Sequence, residues 1–385
     1  MLRAKAKNNY ANGVLIFENC TFNNPTGAYS IHFDGGSGDI IFKNCELYGW
    51  NSFAAALNSV TFEGCTLYGN GTYALIRSYA DLTLTDCTID TNNANHDDSW
   101  PEGIQVIGDE TTFTENNVVY VVNGASELST EISVGENLVL KNDLEDVAVD
   151  NVAPYGNWYG VKMTGGVLDG NGKTLDFDKG PLNNKGKADN YGIMISAGTV
   201  KNLKLSGVFR SIMIMNPTDD ITIDNVVFDP EDEWGTCYPI NTGEGDGTHS
   251  LYVKNSVIAG WNSYGSAIKD LYISNCKFVQ GSYYTNVIGR LSKPYVTTVY
   301  ENCDFCSMYY IDLSCLGEDN DGNLVAPETK ITLKNCTING VKLTAENWTS
   351  LVAPEATCGE GQISIELRDG SYMTAENVAD YVVFE

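Results

Sequence analysis

The sequence predicts an all-β fold, a right-handed parallel β-helix built as a solenoid of tandem units. Three observations lead to this prediction. A short phrase centred on Asn and Cys recurs along the 385 residues, an alternating apolar run lies upstream of most copies, and segments rich in Gly, Asp, Asn and Ser separate the two. Long stretches with apolar residues at helical spacing are nearly absent, so strands and turns are expected to make up most of the chain.

The recurring phrase reads apolar, any residue, Asn, Cys, any residue, apolar. The copies that keep both Asn and Cys are FENCTF at Phe17, FKNCEL at Phe42, ISNCKF at Ile273, YENCDF at Tyr300 and LKNCTI at Leu333. Copies that keep only one of Asn and Cys are FEGCTL at Phe62, LTDCTI at Leu84, IDNVVF at Ile223 and VKNSVI at Val253. Within each half of the chain, successive copies lie 20 to 33 residues apart. Such a period, with loops of variable length, is typical of a solenoid.

Each position of the phrase has a structural reason. The upstream run, for example YSIHF at Tyr29, alternates with period two and therefore buries one face of a strand. In FENCTF, Phe17 points inward, Asn19 forms the corner because Asn tolerates left-handed backbone angles, and Cys20 and Phe22 point inward on the next strand. We expect three short strands per coil, with corner Asn side chains hydrogen-bonded from one coil to the next.

These features resemble the pectate-lyase-like superfamily of β-helix proteins, whose asparagine ladder lies at such a corner. The resemblance covers most of the chain, and it is a resemblance of architecture. Enzymes and non-enzymes share this motif, so the resemblance implies the fold and leaves the activity open.

A duplication accounts for a second level of repetition. YGWNSFAAALNSVTFEGC at Tyr48 aligns without a gap with AGWNSYGSAIKDLYISNC at Ala259, which pairs Trp50 with Trp261. The segment ASELSTEISVGENLVLKNDLEDVAVDN, in the middle of the chain, is similar to the N-terminal cap of a new β-helix. The sequence therefore predicts that residues 1–123 are the latter part of a first unit and that residues 124–385 are a second unit with its own cap.

The charge limits the possible partners. The formal net charge is −27 and no basic cluster occurs, so nucleic acid and anionic membranes are poor partners. No apolar segment is long enough to insert into a membrane, and the first residues lack the apolar core of a signal peptide. An acidic exterior is nevertheless typical of an extracellular, cell-surface or virion-surface setting, which is the localisation we expect.

The cysteines and histidines favour structural interpretations. Seven of the 11 cysteines occupy one inward position of the phrase, which Val226 and Ser256 fill in other coils, so the position requires a small core side chain. The three histidines, His32, His96 and His249, lie in different coils and share no metal-binding or triad spacing. His249 is expected in an exposed loop.

The resemblance implies where an enzyme of this fold would work. Polysaccharide-cleaving members of the superfamily use the exposed face of one sheet, with a carboxylate pair for hydrolysis, or an Arg or Lys base with calcium for elimination. The candidates on that face are Asp34, Arg77, Asp219, Asp220, Arg290, Asp312, Glu366 and Arg368. Arg290 and Asp312 are the catalytic residues we would assign if the protein is an enzyme. The residue sets of the pectin-hydrolase and pectate-lyase branches are not found.

Two further loop features suggest ligands. GEDNDGN at Gly317 spaces Asp319 and Asp321 as in a calcium loop, although Gly317 stands in the first ligand position and no distal Glu follows. The GWNS loops place Trp50 and Trp261 beside amide and hydroxyl groups that suit sugars. These two tryptophans, with Arg77 and Arg290, are the predicted ligand-binding residues, but Trp50 and Trp261 are equally expected to cover the ends of coil cores.

The sequence thus favours a non-catalytic extracellular or virion-surface scaffold, adhesive or glycan-binding, with a polysaccharide or cell-surface glycan as partner. The alternative is a polysaccharide lyase or glycoside hydrolase that acts on the exposed face. No cofactor is required under the first interpretation, and calcium is compatible with either. Further repeats or a homotrimer are the expected assemblies.

Overall fold

The structure is a computed structural model. It describes residues 2–4, 13–24, 29–33, 37–54, 57–68, 75–90, 104–106, 113–115, 118–121, 128, 130–182, 189–231, 238–265, 267–282, 288–291, 297–313, 330–367 and 373–385. The chain divides into two compact units. Unit 1 comprises Met1–Leu128 and Glu136–Asp143, and unit 2 comprises Ser129–Gly135 and Leu144–Glu385. The predicted boundary near residue 124 lies outside the described residues and stays a prediction.

Unit 1 is built from short parallel strands. The first strands of the chain are β1 Leu2–Ala4, β2 Gly13–Glu18, β3 Thr21–Asn23, β4 Tyr29–Phe33, β5 Gly38–Lys43, β6 Glu46–Tyr48, β7 Trp50–Phe53, β8 Ser59–Glu63, β9 Thr66–Tyr68, β10 Ile76–Ser78, β11 Asp81–Thr85, β12 Thr88–Asp90, β13 Ile104–Val106, β14 Phe113–Glu115, β15 Val118–Val121, β16 Glu131–Ile132 and β17 Asn137–Leu140. Strands β1 to β14 stack in three sheets, in the orders β1-β4-β7-β10-β13, β2-β5-β8-β11-β14 and β3-β6-β9-β12, whereas β16 belongs to unit 2. Strand β15 pairs antiparallel with β14 and parallel with β17. Three strands per coil were predicted, and the three sheets confirm this.

Unit 2 repeats the design with β16 as its first strand. The remaining strands are β18 Leu144–Val147, β19 Asn151–Val152, β20 Trp158–Phe177, β21 Tyr191–Ser206, β22 Arg210–Ile214, β23 Ile221–Phe228, β24 Tyr238–Thr242, β25 Leu251–Lys254, β26 Val257–Ala259, β27 Trp261–Tyr264, β28 Asp270–Ser274, β29 Lys277–Val279, β30 Ile288–Leu291, β31 Thr297–Glu301, β32 Asp304–Phe305, β33 Tyr310–Leu313, β34 Ile331–Lys334, β35 Thr337–Ile338, β36 Val341–Lys342, β37 Ser364–Leu367 and β38 Val382–Phe384. The helices in the described part of the chain are short: α1 Trp348–Leu351 and α2 Val378–Tyr381, with 3-10 turns at Pro154–Gly156 and Glu355–Thr357. None of them is long and apolar enough to cross a membrane.

The fold is therefore the predicted one, an all-β right-handed parallel β-helix. In unit 2, the sheet that carries the candidate site has the strand order β22-β24-β27-β30-β33-β37, and all neighbouring strands are parallel. A second sheet runs β23-β25-β28-β31-β34-β38.

The corner asparagines have the predicted conformation. Asn302 has φ 52° and Asn335 has φ 51°, in the left-handed region. The Nδ2 group of Asn335 donates to Oδ1 of Asn302 at 2.7 Å, and Asn302 donates to Asn275 at 3.2 Å. Asn275 donates in turn to Asn255 at 3.2 Å. The asparagine ladder therefore connects four successive coils of unit 2.

Most cysteines of the phrase are core residues, as predicted, whereas Cys20 and Cys87 are partly buried and pack against the core. Those that are almost fully buried are Cys45, Cys65, Cys276, Cys303 and Cys336, and no disulfide joins the described cysteines. The Cys276 Sγ donates to the carbonyl of Ser274, two residues earlier, and burial raises the pKa of this thiol from 9.0 to about 12. In the coil before, the Ser256 hydroxyl donates to Lys254 in the same way. The position thus requires a small side chain, which bonds back to the chain where it is Cys or Ser, and at Cys276 a thiolate is disfavoured.

Candidate functional site

The candidate site is the outer face of the β22-β24-β27-β30-β33-β37 sheet in unit 2, called here the outer face. Alternate residues of these strands point inward, and Ile212, Ile240, Ile311 and Ile365 form one fully buried row. The residues between them form a row on the opposite face of the sheet, in which Met213 and Asn241 are themselves buried. In register, this row consists of Met213, Asn241, Ser263, Arg290, Asp312 and Glu366. The parallel pairing therefore places polar side chains from distant parts of the sequence side by side.

Arg210 lies at one end of the outer face, where it contacts Asp189, Asn241 and Tyr238. Its Nε lies 2.5 Å from Oδ1 of Asp189, and its Nη2 donates to Oδ2 at 3.3 Å. Its Nη1 donates to Oδ1 of Asn241, and its guanidinium carbon lies 4.4 Å from the centroid of the Tyr238 ring. The side chain is 22% exposed. Arginine held by a two-point carboxylate contact and an aromatic ring is fixed in one geometry.

The rings beside Arg210 form an aromatic strip, defined here as Phe209, Tyr238 and Trp261. The ring centroids of Phe209 and Tyr238 are 5.2 Å apart, and those of Tyr238 and Trp261 are 5.7 Å apart. All three side chains are only partly buried. The predicted residue Trp261 therefore lies on the outer face within a row of rings. Each ring retains surface that a ligand can contact.

The other predicted pair also meets on the outer face. Arg290 Nε lies 3.5 Å from Oδ2 of Asp312, and the two side chains are 45% and 14% exposed. Glu366 occupies the next strand in register with Asp312. A cation and two carboxylates thus follow one another along adjacent strands. This arrangement places the two residues predicted as catalytic together, whereas a catalytic role for them stays a prediction.

Unit 1 carries related residues on its β1-β4-β7-β10-β13 sheet. Trp50 stacks on Tyr29, with ring centroids 3.9 Å apart and planes inclined by 24°. Arg77 Nη2 donates to the hydroxyl of Tyr79 at 2.5 Å, and Arg77 is in register with Ser52. Arg290 is likewise in register with Ser263 of the second GWNS motif. The two arginines are therefore equivalent in position, but they have different partners.

The repeated GWNS motif has a structural function that the sequence did not reveal. Asn51 and Asn262 point inward and are fully buried. Asn51 Nδ2 donates to the Leu75 carbonyl of the next coil at 3.0 Å, and Asn262 Oδ1 accepts from the N–H of Ile240 in the previous coil at 3.2 Å. The motif thus places Trp outward and Asn inward, as strand alternation requires. The inward Asn gives a reason for the repetition without any ligand.

Other predicted residues are separate from the outer face or undescribed. Asp219, Asp220 and His249 lie together at a loop edge, where their ligand atoms are within 4.8 Å of one another. The predicted calcium ligands Asp319 and Asp321 lie outside the described residues, as do Asp34, His96 and Arg368. Calcium at Asp319 and Asp321 therefore stays a prediction.

Sequence reasoning missed Arg210, Asp189, Tyr238 and Asn241. Arg210 immediately precedes the alternating run SIMIM, and Tyr238 begins YPINT, a run that is broken by Pro239. Alternation would have placed Arg210 and Tyr238 inward, because each lies two residues before an inward isoleucine, Ile212 or Ile240. The contact of Arg210 with Asp189 depends on a loop whose path has no period.

Comparison with known proteins supports the architecture. A family model described as right handed beta helix region matches residues 6–139, about a third of the chain. Neither the curated proteins nor the solved structures compared with the chain gave a match.

Proposed function

We propose that the protein is a non-catalytic β-helix scaffold that binds glycans on the outer face, and that it works outside the cell, where glycans are displayed. The observation that carries this proposal is the aromatic strip of Phe209, Tyr238 and Trp261, with Arg210 fixed beside it. Aromatic rings provide apolar contact area at low conformational cost, and the polar groups around them fix the orientation of a ligand.

Preorganisation supports the same proposal. Asp189 and Asn241 already hold Arg210 in the protein as described, so little side-chain entropy is lost when a ligand docks against Tyr238. The rigid parallel sheet below keeps the three rings of the aromatic strip at fixed spacing. A sugar ring can lie on an aromatic face while its hydroxyl groups bond to the Arg210 guanidinium, which is 22% exposed.

The charge of the protein defines the class of glycan. A net charge of −27 repels strongly anionic polymers at low ionic strength, so neutral glycans are the favoured ligands. Further repeats or a homotrimer would add copies of the outer face and raise avidity.

The test is a binding assay on a panel of neutral and acidic polysaccharides, followed by Tyr238→Ala and Trp261→Ala. We expect binding without cleavage to at least one neutral polysaccharide, and a loss of affinity of about tenfold or more in each variant, which corresponds to about 1.4 kcal/mol. Tyr252→Ala is the matched control, because Tyr252 stacks on Tyr272 at 5.0 Å on a different sheet of the same unit. Unchanged affinity in Tyr238→Ala, or no binding to any polysaccharide, would refute the proposal.

The second candidate function is a polysaccharide lyase or glycoside hydrolase. The observation in its favour is the row Arg290, Asp312 and Glu366, with the two carboxylates on adjacent strands. Adjacent strands lie about 4.8 Å apart, close to the separation of about 5–5.5 Å between the carboxyl groups of retaining glycosidases. Mass spectrometry of the same panel, with and without calcium, distinguishes the two functions. Oligosaccharide products that disappear in Asp312→Asn and in Arg290→Ala would establish the enzyme.

A further inference from the structure

A potential metal-binding cluster lies at a loop edge of unit 2. Asp219 and Asp220 end the loop between β22 and β23, and His249 lies one coil later, in the loop between β24 and β25. One ligand atom from each of the three residues lies within 4.8 Å of the other two. Both aspartates are exposed and His249 is partly buried.

Backbone pairing fixes these residues relative to one another. Strands β23 and β25 are in register from Ile221 with Leu251, which places Asp220 against Ser250 and Asp219 against His249. The Ile221 N–H donates to the Ser250 carbonyl at 3.0 Å, and the Ser250 N–H donates to Oδ1 of Asp220 at 2.8 Å. The cluster therefore rests on the edge of a rigid sheet.

The hydrogen bonds of the aspartates leave them available as ligands. Oδ1 of Asp219 accepts from the Asp220 N–H at 2.8 Å, and Oδ1 of Asp220 accepts from Ser250. Each carboxylate thus uses one oxygen to fix its position and has a second oxygen to offer. A backbone donor does not neutralise the charge, so both residues attract a cation.

A further carboxylate adds to the negative field. The Asp246 carboxylate lies close enough to His249 for an electrostatic interaction, and hydrogen bonds from the side chain and backbone of Thr248 lower the pKa of Asp246. The Nζ group of Lys269 lies 3.9 Å from Oδ2 of Asp270, so this cation has a carboxylate partner of its own. The cluster therefore carries two carboxylates, with a third within electrostatic reach.

We infer that Asp219, Asp220 and His249 bind a divalent transition-metal ion, with Zn²⁺ and Mn²⁺ as the ions that suit this ligand set. An imidazole favours transition metals over calcium and magnesium, while carboxylates suit Zn²⁺ and Mn²⁺ alike. Three protein ligands leave coordination positions for water. Ligand atoms around one ion at about 2.1 Å are at most about 4.2 Å apart, so small rotations of the exposed aspartates complete the site. The ion would join two successive coils at their loop edge, independently of any glycan on the outer face.

The first test uses the full-length wild-type protein with isotope-labelled histidine. Substoichiometric Mn²⁺, added after chelator treatment, is expected to broaden the imidazole signals of His249 and to leave those of His32 sharp. The assignments come from His249→Gln and His32→Gln, each of which removes one set of signals. Equal broadening of both histidines, or no broadening of His249, would overturn the inference.

The second test measures affinity by calorimetry with Zn²⁺ and Mn²⁺. Loss of an outer-shell partner of a metal ligand typically costs 10–100-fold in affinity, so His249→Gln should weaken binding by at least about 100-fold. Asp220→Asn should also weaken binding, and it keeps the amide oxygen that accepts from Ser250. His32→Gln is the matched control and should bind like the wild type. Zn²⁺ binding of unchanged affinity in His249→Gln would place the metal on other groups and refute the site.

Discussion

At the scale of single residues, the corner asparagine explains why one phrase recurs. Its backbone has φ near 50°, which most residues avoid, and its amide joins the coil before to the coil after. Gly64, with φ 60°, takes this position in the copy FEGCTL and supplies the backbone angle without the side-chain hydrogen bonds. The position therefore has two separate requirements: a left-handed backbone angle and a side-chain amide that hydrogen-bonds to the neighbouring coils.

Substitution of Asn302 separates these two requirements. Asn302→Ala is expected to lower the free energy of unfolding by about 2–4 kcal/mol, from the left-handed backbone cost and two lost hydrogen bonds. Asn302→Gly keeps the backbone angle and should lose about 1–2 kcal/mol. Denaturant unfolding followed by circular dichroism measures both values. Equal losses in the two variants would mean that the backbone angle contributes nothing.

At the scale of the strand, alternation decides which side chains pack and which face solvent. Strand β30 places Arg290 outward and Gly289 inward, where a Cβ would lie 2.4 Å from the Tyr309 hydroxyl and 3.5 Å from that of Tyr300. Both rings are fully buried, and burial raises the pKa of both tyrosines. The inward position of this strand is therefore already filled by rings from neighbouring segments.

Gly289→Ala is accordingly expected to lower the free energy of unfolding by about 1–3 kcal/mol, since a methyl group there overpacks the core. Gly359→Ala is the matched control in the same unit, because its Cβ would meet only the end of Gln362 at 3.8 Å. The control should change stability by less than about 1 kcal/mol. Thermal and denaturant unfolding of both variants measure the difference, and a Gly289→Ala protein as stable as the wild type would contradict this packing.

At the scale of the whole molecule, charge is the dominant property. The formal net charge is −27, while the ion pairs that are described are largely solvent-exposed, for example Lys43 with Glu63 at 2.7 Å and Lys334 with Glu301 at 2.7 Å. Exposed pairs of this type contribute about 0–1 kcal/mol each. Repulsion among the excess carboxylates is therefore expected to outweigh them.

Salt should consequently stabilise the protein. We expect the melting temperature at pH 7 to rise by about 2–4 °C between low salt and moderate NaCl, equivalent to about 1 kcal/mol. At pH 5, nearer the sequence pI of about 4.3, the rise should be smaller because less charge remains to be screened. Circular dichroism during heating measures this shift. A melting temperature that falls with salt would mean that the exposed ion pairs dominate.

The sequence alone determined the architecture, because the cause of the fold is local and repeated. The phrase around Asn302 and Cys303 encodes a corner and two inward positions within a few residues, and nine full or variant copies of it occur along the chain. Strand alternation likewise sufficed to place Arg290 and Asp312 on one face, where they meet at 3.5 Å.

Only the tertiary structure decided which side chains from different coils converge. Arg210 meets Asp189, 21 residues earlier, and Asp220 meets Ser250, 30 residues later. These distances along the chain are set by loops whose lengths follow no period, so no repeat in the sequence encodes them. The lateral register of the coils arises from backbone hydrogen bonding between strands, and the side chains of the outer face and of the aspartate–histidine cluster come together only when that pairing has formed.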